Sequence, residues 1–351
     1  MESHPLVYIR TDGNETIATG HLMRCLSVAR ALCHRNALPI FIVSDTSSIS
    51  LLQKMMTPEE TARKVFPIIH LQTDYRDPEA EIPVMQRILS SHNVSFLLVD
   101  SYFATAAYLS RMAQICRVAY LDDLQAFDYP VDLVVNYDLN ADVSFYKSAR
   151  TVLAGSAYTP LRSQFSLHPY HVWEQVKDLF LSTGGTDPFG IAGGLARRLL
   201  VLPEFESACL HVLTGPMHVH RSELVRMARE DGRIRLHENV ADMASLMAEC
   251  DLAVSAGGTT LYELCAIGVP SVSYSMTDNQ APCTKDFDRA GLIPYAGDIR
   301  NNPDFLDCTV RMLLELARDY PRRKELSTRM RMAVDGAGAD RIAEALTRTG
   351  N

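Results

Sequence analysis

Short apolar, β-branched runs alternate with longer amphipathic runs along the first half of the chain. The apolar runs are nearly continuous, which is typical of strands in a parallel sheet covered on both faces. The predicted strands are 6–10, 39–44, 67–71, 96–100, 118–122 and 132–136, and the predicted helices between them are 21–35, 78–91 and 105–114. This alternation predicts a doubly wound, Rossmann-like α/β domain over residues 1–165.

The alternation restarts after a segment with several aromatic residues and histidines. We interpret this segment, 166–175, as a linker and 176–351 as a second Rossmann-like domain, whose last helix, 339–347, could pack back onto the first. The predicted strands here are 178–182, 208–214, 234–237, 251–255 and 271–274, and the predicted helices are 189–202, 219–230, 241–249, 259–267 and 279–290. Two parallel sheets facing each other would form a cleft, and ligands of such sheets bind beyond the carboxyl ends of the strands.

Composition narrows the range of partners. The formal net charge of −8 disfavours a broad surface for nucleic acid or anionic membranes, because such surfaces need clustered lysine and arginine. No run approaches the roughly 18–20 apolar residues of a membrane span. The eight cysteines show no C-x-x-C spacing, and the N-terminus does not resemble a signal peptide. We therefore expect a cytoplasmic protein that has no nucleic-acid partner and no stable membrane association, and the oligomeric state stays open.

The first polar motif lies between the first predicted strand and helix. It contains Arg10, Asp12, Gly20, His21 and Arg24. A helix N-terminus disfavours a positive charge, so His21 would be neutral there, as a general base must be. The alternative is that His21 only caps the helix or binds a loop carbonyl. Arg24 could reach a phosphate or form an ion pair with Asp12.

Two further motifs follow strands of the same predicted sheet. Asp100 and Tyr102 come at the end of strand 96–100, where a phenol could bind a sugar. Asp122 and Asp123 resemble a paired-carboxylate metal site, but adjacent strand residues point to opposite faces, so one of them more plausibly caps a loop.

Glycine-rich loops mark the second half. Such loops let the backbone approach a ligand closely, and a following helix N-terminus favours anions. Glu263, one turn into a predicted helix, could bind both hydroxyls of a ribose. A plain β–α turn and a simple helix cap by Asp278 are the alternatives for the last two loops. The candidate residues are Thr183, Gly184 and Gly185 in one loop, Gly257, Gly258, Thr259 and Thr260 in the next, and Asn279 and Gln280 in a third.

These loops lack the lysine of an ATP-hydrolysing P-loop and the G-x-G-x-x-G pattern of NAD-binding proteins. We therefore expect no cofactor. We also expect no metal, because the sequence has no spaced cluster of His, Cys or carboxylate residues and the amide-rich loops could bear the phosphate charge.

Taken in order, the motifs resemble the PseG family of UDP-sugar hydrolases in the pseudaminic acid pathway, which are related in fold to MurG and other GT-B glycosyltransferases. The resemblance extends over nearly the whole chain. It rests on segments 10–24, 99–102, 121–124, 158–162, 184–187, 255–263 and 278–280.

The resemblance implies hydrolysis of UDP-2,4-diacetamido-2,4,6-trideoxy-β-L-altropyranose to the free sugar and UDP, without a metal. His21 would activate the attacking water, Tyr102 and Asn279 would contact the sugar, and residues 257–263 would bind UDP. The chain departs from the family in having Ala18 in place of the first glycine of Gly-x-Gly-His. It also has a different sequence at 135–138, where the family has a Gln-Asn pair. A glycosyltransferase on the same fold and a non-catalytic nucleotide-sugar-binding protein remain as alternatives.

Overall fold

The computed structural model describes residues 4–14, 16–17, 19–215 and 217–348. The chain divides into two compact units, Met1–Ser163 with Ala337–Asn351 and Gln164–Gly336. Ala18, the departure from the family glycine, lies outside the described residues. None of the described helices combines the length and the apolar character that crossing a bilayer requires.

The first unit contains a seven-stranded parallel sheet in the order β3-β2-β1-β4-β5-β6-β7. Its strands are β1 Leu6–Thr11, β2 Leu38–Val43, β3 Ile68–His70, β4 Phe96–Asp100, β5 Val118–Leu121, β6 Leu133–Asn136 and β7 Thr151–Ala154. Its helices before the second unit are α1 Gly20–His34, α2 Thr46–Met55, α3 Pro58–Ala62, α4 Pro78–Ser90 and α5 Ala106–Ala113. Thr11 of β1 is in register with Asp100 of β4, so the carboxyl ends of these two strands lie side by side.

Local sequence explains most of these elements. All five residues of β4 are buried, as expected of a nearly continuous apolar run, which here ends in Asp100. Helix α2 and the five-residue α3 were not predicted. Asp45 caps α2 through the Ser48 amide, and Thr57 and Glu60 form a capping box at the start of α3. The caps are readable in the sequence, but the helices are too short for a clear apolar period.

The second unit contains a six-stranded parallel sheet in the order β10-β9-β8-β11-β12-β13. Its strands are β8 Asp178–Ser182, β9 Cys209–Leu213, β10 Ile234–His237, β11 Leu252–Ala256, β12 Ser271–Ser275 and β13 Tyr295–Asp298. Its helices are α6 Ile191–Leu199, α7 Arg221–Glu230, α8 Met243–Ala248, α9 Thr259–Ile267, α10 Ala281–Arg289, α11 Phe305–Arg318 and α12 Tyr320–Ala333. The two edge strands β7 and β13 were not predicted. Both have four residues, and β13 contains Gly297 at a φ of 106°.

The predicted linker needs correction. The predicted linker 166–175 packs on the second unit, where the Tyr170 hydroxyl donates to Cys250 O and the buried Arg323 donates to the carbonyls of Trp173 and Glu174. The end of the chain belongs to the first unit. Its last helix, α13 Gly338–Thr347, contributes Ile342 and other apolar residues to the core that α1 lines.

Candidate functional site

His21 is the second residue of α1 and lies where β1 and β4 end. Its side chain is buried, and Nδ1 lies 2.6 Å from Oδ1 of Asp100. This nitrogen therefore contacts a carboxylate and not a helix or loop carbonyl. Thr19, which precedes the helix, makes no side-chain capping bond. The placement at a helix N-terminus is as predicted, and Asp100 supplies a partner that the sequence analysis had placed only near the same sheet edge.

The His21–Asp100 contact fixes where the proton of the imidazole sits. An ionised carboxylate can only accept, so Nδ1 must carry the hydrogen and Nε2 is left with a free lone pair. Nη2 of Arg24 also lies 3.0 Å from Nδ1, but a protonated Nδ1 cannot accept from it. Arg24 donates to Asp100 instead. An imidazole held in this way can accept a proton at Nε2.

Arg24 is the cation that balances Asp100. Its Nε lies 2.7 Å from Oδ2 and its Nη2 2.5 Å from Oδ1 of Asp100. Nη1 is 2.7 Å from Asp123 and 2.6 Å from the Tyr137 hydroxyl. Because all three nitrogens are engaged by protein groups, the predicted pairing with Asp12 is wrong and a direct contact with phosphate is not supported. Arg24 positions Asp100.

The charge on Asp100 is stable despite its burial. Removal from water opposes ionisation, but the neighbouring Arg24 and His21 outweigh that effect and hold the pKa of Asp100 below its ordinary range. Asp100 is therefore ionised at neutral pH. An ionised Asp100 is the condition for keeping the hydrogen on Nδ1 of His21.

Tyr102 lies over His21 with the two rings edge to face, 4.4 Å apart. Its hydroxyl donates to Asp123 over 3.0 Å, although 47% of the residue is exposed. Asp123 therefore links Tyr102 and Arg24. Asp122 instead accepts from the amides of Leu124 and Gln125, which confirms that one of the two aspartates caps a loop. In the described part of the chain no three His, Cys, Asp or Glu residues are grouped as metal ligands.

A small pocket beside His21 opens to solvent. Tyr75 and Phe103 form part of its wall, with their rings edge to face at 5.2 Å. Neither residue was predicted from the sequence, although each follows the carboxyl end of a strand. The lining residues are Asp12, Ile17, His21, Tyr75, Asp100, Ser101, Tyr102 and Phe103.

Arg10 and Asp12 are structural in this fold. Both are 3% exposed and paired with each other, and Arg10 also forms a bidentate pair with the fully buried Glu81 of α4. Oδ1 of Asp12 accepts from the amide and hydroxyl of Ser44, at 2.7 and 2.8 Å. The predicted ligand contact of Arg10 is therefore corrected to an internal one, while Asp12 still borders the pocket. Gly20 opens α1, and a Cβ there would meet no atom within 4 Å.

In the second unit, the loop between β11 and α9 has the form that the sequence predicted. Gly258 is exposed, has a φ of 145° and directly precedes the nine-residue helix α9, which begins with Thr259 and Thr260. Glu263 is buried in the same helix, about one turn further on. This loop therefore presents a helix N-terminus, which favours an anion, at the carboxyl end of the sheet.

Gly257 has no room for a side chain, whereas a Cβ on Gly258 would meet no atom within 4 Å. A Cβ on Gly257 would lie 2.8 Å from Thr284 Cγ2 and 3.0 Å from the carbonyl oxygen of Gln280. We expect Gly257→Ala to destabilise the protein by about 1–3 kcal/mol, the usual effect of overpacking. Unfolding in urea measures this. Gly20→Ala, which adds the same methyl group in open space, is the control, and an equal loss in both variants would contradict the steric explanation.

The remaining predicted ligand residues fall in two loops. Gly184 and Gly185 are exposed, and Gly184 has a φ of 74°, whereas Thr183 is buried and its hydroxyl points away from solvent. Gln280 shapes its own loop, because its Oε1 accepts from the Met276 amide over 2.9 Å. Asn279 is exposed and accepts from Thr277.

Helix α10 starts at Ala281, later than predicted. Its N-cap residue is Gln280, and Asp278 pairs with Arg300 over 2.6 Å. The alternative of a helix cap by Asp278 is therefore wrong.

Comparison with known sequences gives distant relatives. No protein-family model matches the chain. It is 23% identical over 349 residues to the spore coat polysaccharide biosynthesis protein SpsG of Bacillus subtilis, covering 97% of both chains. It is also 22% identical over 210 residues to a Helicobacter pylori protein named pseudaminic acid cytidylyltransferase and UDP-2,4-diacetamido-2,4,6-trideoxy-β-L-altropyranose hydrolase. That match covers 56% of this chain and 37% of the other protein, so the predicted PseG resemblance is supported only as a distant similarity.

Solved structures agree on the architecture. MurG of Acinetobacter baumannii matches 98% of this chain and 100% of its own with a TM-score of 0.69 and 14% identity. The chain has a GT-B fold. Arabidopsis thaliana UGT89C1 matches over 99% of this chain and 100% of its own, with a TM-score of 0.67 and 13% identity. The predicted class of two Rossmann-like domains with parallel sheets is confirmed.

Proposed function

We propose that this chain hydrolyses a UDP-linked sugar by breaking the bond between the anomeric carbon and the diphosphate. The observation that carries the proposal is the His21–Asp100 pair at the carboxyl ends of β1 and β4. A base oriented in this way suits the removal of a proton from water or from another hydroxyl group. The similarity to a Helicobacter pylori protein whose name includes a UDP-sugar hydrolase supports the choice of reaction.

The proposed reaction runs through one displacement. Asp100 holds the hydrogen on Nδ1, and Nε2 of His21 takes a proton from a water molecule. The water oxygen forms a bond to the anomeric carbon as the bond to the diphosphate oxygen breaks. UDP leaves with the electron pair of that bond, and attack opposite the leaving group inverts the configuration of the sugar.

The second unit would bind the nucleotide. The N-terminus of α9, reached through Gly257 and Gly258, suits the diphosphate, and the exposed backbone of Gly184 and Gly185 offers a further approach. The same features would stabilise the negative charge on the departing UDP. Glu263 would accept from the hydroxyls of the ribose.

Glu263→Ala should weaken UDP binding by about 1–3 kcal/mol, the range for hydrogen bonds to a charged group. Isothermal titration calorimetry of UDP against the full-length protein measures the change. Glu230→Ala, which removes an exposed carboxylate at the end of α7, is the matched control. Unchanged affinity in a folded Glu263→Ala variant would contradict the proposed contact between Glu263 and the ribose. It would not affect the proposed diphosphate site.

The sugar would be UDP-2,4-diacetamido-2,4,6-trideoxy-β-L-altropyranose or a similar amino sugar. Tyr102 and the Tyr75–Phe103 pair give the pocket an aromatic wall suited to a sugar with few hydroxyl groups. The test is incubation with a panel of UDP-amino sugars in the absence of any acceptor, followed by measurement of UDP. Release of free sugar together with UDP supports the proposal, and ¹⁸O from labelled water should appear on the anomeric oxygen.

A glycosyltransferase is the second candidate. It is favoured by solved structures of the same fold, which include a spinosyn rhamnosyltransferase with a TM-score of 0.63 at 14% identity. In that case His21 would deprotonate an acceptor hydroxyl instead of water. If UDP is released only when an acceptor is added, the chain is a glycosyltransferase and the hydrolase proposal is wrong.

A further inference from the structure

Asp187 lies in the loop between β8 and α6. Several buried polar groups near it have no hydrogen-bond partner within the described residues. The side chain of His218, which follows β9, has no exposed surface, and neither ring nitrogen has a hydrogen-bond partner among the described residues. Its Nε2 is 3.5 Å from Oδ2 of Asp187, too far for a good hydrogen bond. The Tyr274 and Thr183 hydroxyls are likewise buried and unpaired within the described chain. Asp187 acts electrostatically on Tyr274, and Thr183 belongs to the same loop as Asp187.

Asp187 is a buried carboxylate whose charge is not balanced by a strong cation. Its oxygens accept from the amides of Ile191 and Ala192 at the start of α6, at 2.9 and 3.0 Å. Within the described residues it has no lysine or arginine within ion-pair distance, and His218 is the side chain beside it that becomes a cation on protonation. Val219, the next residue after His218, donates its amide to Thr186 O over 2.8 Å. The segment that carries His218 is therefore attached directly to the glycine loop.

We propose that His218 is a positioning residue for an anion bound at Gly184 and Gly185, and that it takes up a proton when a nucleoside diphosphate binds there. This inference rests on the proposed UDP binding by the second unit. A diphosphate at the exposed glycines adds negative charge to the loop that also carries the buried carboxylate of Asp187, and like charges repel strongly in a medium of low dielectric. Protonation of His218 turns the 3.5 Å contact into an ion pair and holds the loop in one conformation.

In the unliganded protein, the environment of His218 keeps its imidazole unprotonated and therefore able to take up a proton. Burial lowers the pKa of His218, and this effect outweighs the opposing influence of Asp187. His220, on the same segment, lowers it further. The imidazole is therefore neutral at pH 7 in the unliganded protein. A bound anion acts in the opposite direction, because it stabilises the imidazolium form.

The test is calorimetry of UDP binding to the full-length protein at pH 7 in several buffers of different ionisation enthalpy. The dependence of the measured heat on the buffer gives the number of protons exchanged. We expect net proton uptake by the wild type and loss of that uptake in His218→Gln. Because UDP has its own ionisation, uptake is compared between variants so that the contribution of the ligand cancels. His237→Asn, a change in the partly buried pair formed by His237 of β10 and His211 of β9, is the control and should retain the uptake.

A second variant keeps the test independent of how well His218→Gln folds. Asp187→Asn removes the carboxylate charge that makes a cation necessary, so it should also bind UDP without proton uptake. Above neutrality, the UDP affinity of the wild type relative to that of His218→Gln should fall by up to about tenfold for each pH unit, because the ionisation of UDP itself is common to both proteins. Equal proton uptake in wild type and His218→Gln overturns this inference alone. A wild-type protein that does not bind UDP overturns the proposed function as well.

Discussion

Replacing His21 with asparagine should lower turnover by about 10²–10⁴-fold, the usual contribution of a positioned general base. The side chain of asparagine can still hydrogen-bond to Asp100, so the buried carboxylate keeps a polar partner in place of Nδ1. What disappears is the lone pair of Nε2. UDP binding should be nearly unchanged, because the residues assigned to the nucleotide belong to the second unit.

The control for His21→Asn separates chemistry from folding. Turnover per folded molecule and the thermal midpoint should be measured side by side with UDP affinity. If His21 only supports the start of α1, the variant will melt earlier but keep near-normal turnover. If the base assignment is right, turnover falls while the midpoint and the UDP affinity stay close to those of the wild type.

The sequence predicts the fold well where each element carries its own pattern. Buried strands such as β4 and β11 are nearly continuous apolar runs, and both glycine loops lie, as predicted, between a strand and a helix. The short edge strand β7 was missed because its four residues are only partly buried and lack such a run. Segment 166–175 was misassigned because the carbonyl contacts of Arg323 that hold it on the second unit join residues about 150 positions apart.

The candidate site could be predicted only in part, for a similar reason. His21 was predictable because its position at a helix N-terminus is a local property. The roles of Arg10 and Arg24 were not, because their partners Glu81 and Asp123 lie 71 and 99 residues away. A charged residue in a loop at a sheet edge can face a ligand or a buried counter-ion. Only the fold, which brings Glu81 to Arg10 and Asp123 to Arg24, distinguishes the two cases for this chain.

Replacing Asp100 with asparagine should have the second large effect, which is a loss of both turnover and stability. Asp100→Asn keeps the shape of the side chain but removes the charge that requires a hydrogen on Nδ1 of His21. An amide can donate to Nδ1, which would move the imidazole hydrogen to Nε2 and block the base. We expect turnover to fall by about 10²–10⁴-fold, as in other histidine bases that lose their carboxylate.

The stability loss has an electrostatic cause. Arg24 is largely buried, and breaking a buried ion pair by removing one partner costs about 3–5 kcal/mol. Because Arg24 keeps Asp123, we expect the lower end of that range. Asp123→Asn is the matched control. It removes the second partner of Arg24 but leaves the His21–Asp100 contact, so its effect on turnover should be much smaller.

The pH dependence of unfolding provides an independent check on Asp100. Its pKa is lowered in the folded protein, so its carboxylate stabilises the fold above the unfolded-state pKa of about 3.9. That contribution is lost as the pH falls from about 4 through the lower folded-state value. The stability difference between wild type and Asp100→Asn should therefore be largest at pH 7 and shrink as the pH falls below about 4. Urea unfolding of both proteins at pH 7 and at several lower pH values measures it. A difference that stays constant over this range would show that Asp100 is not the ionised partner of His21 and Arg24.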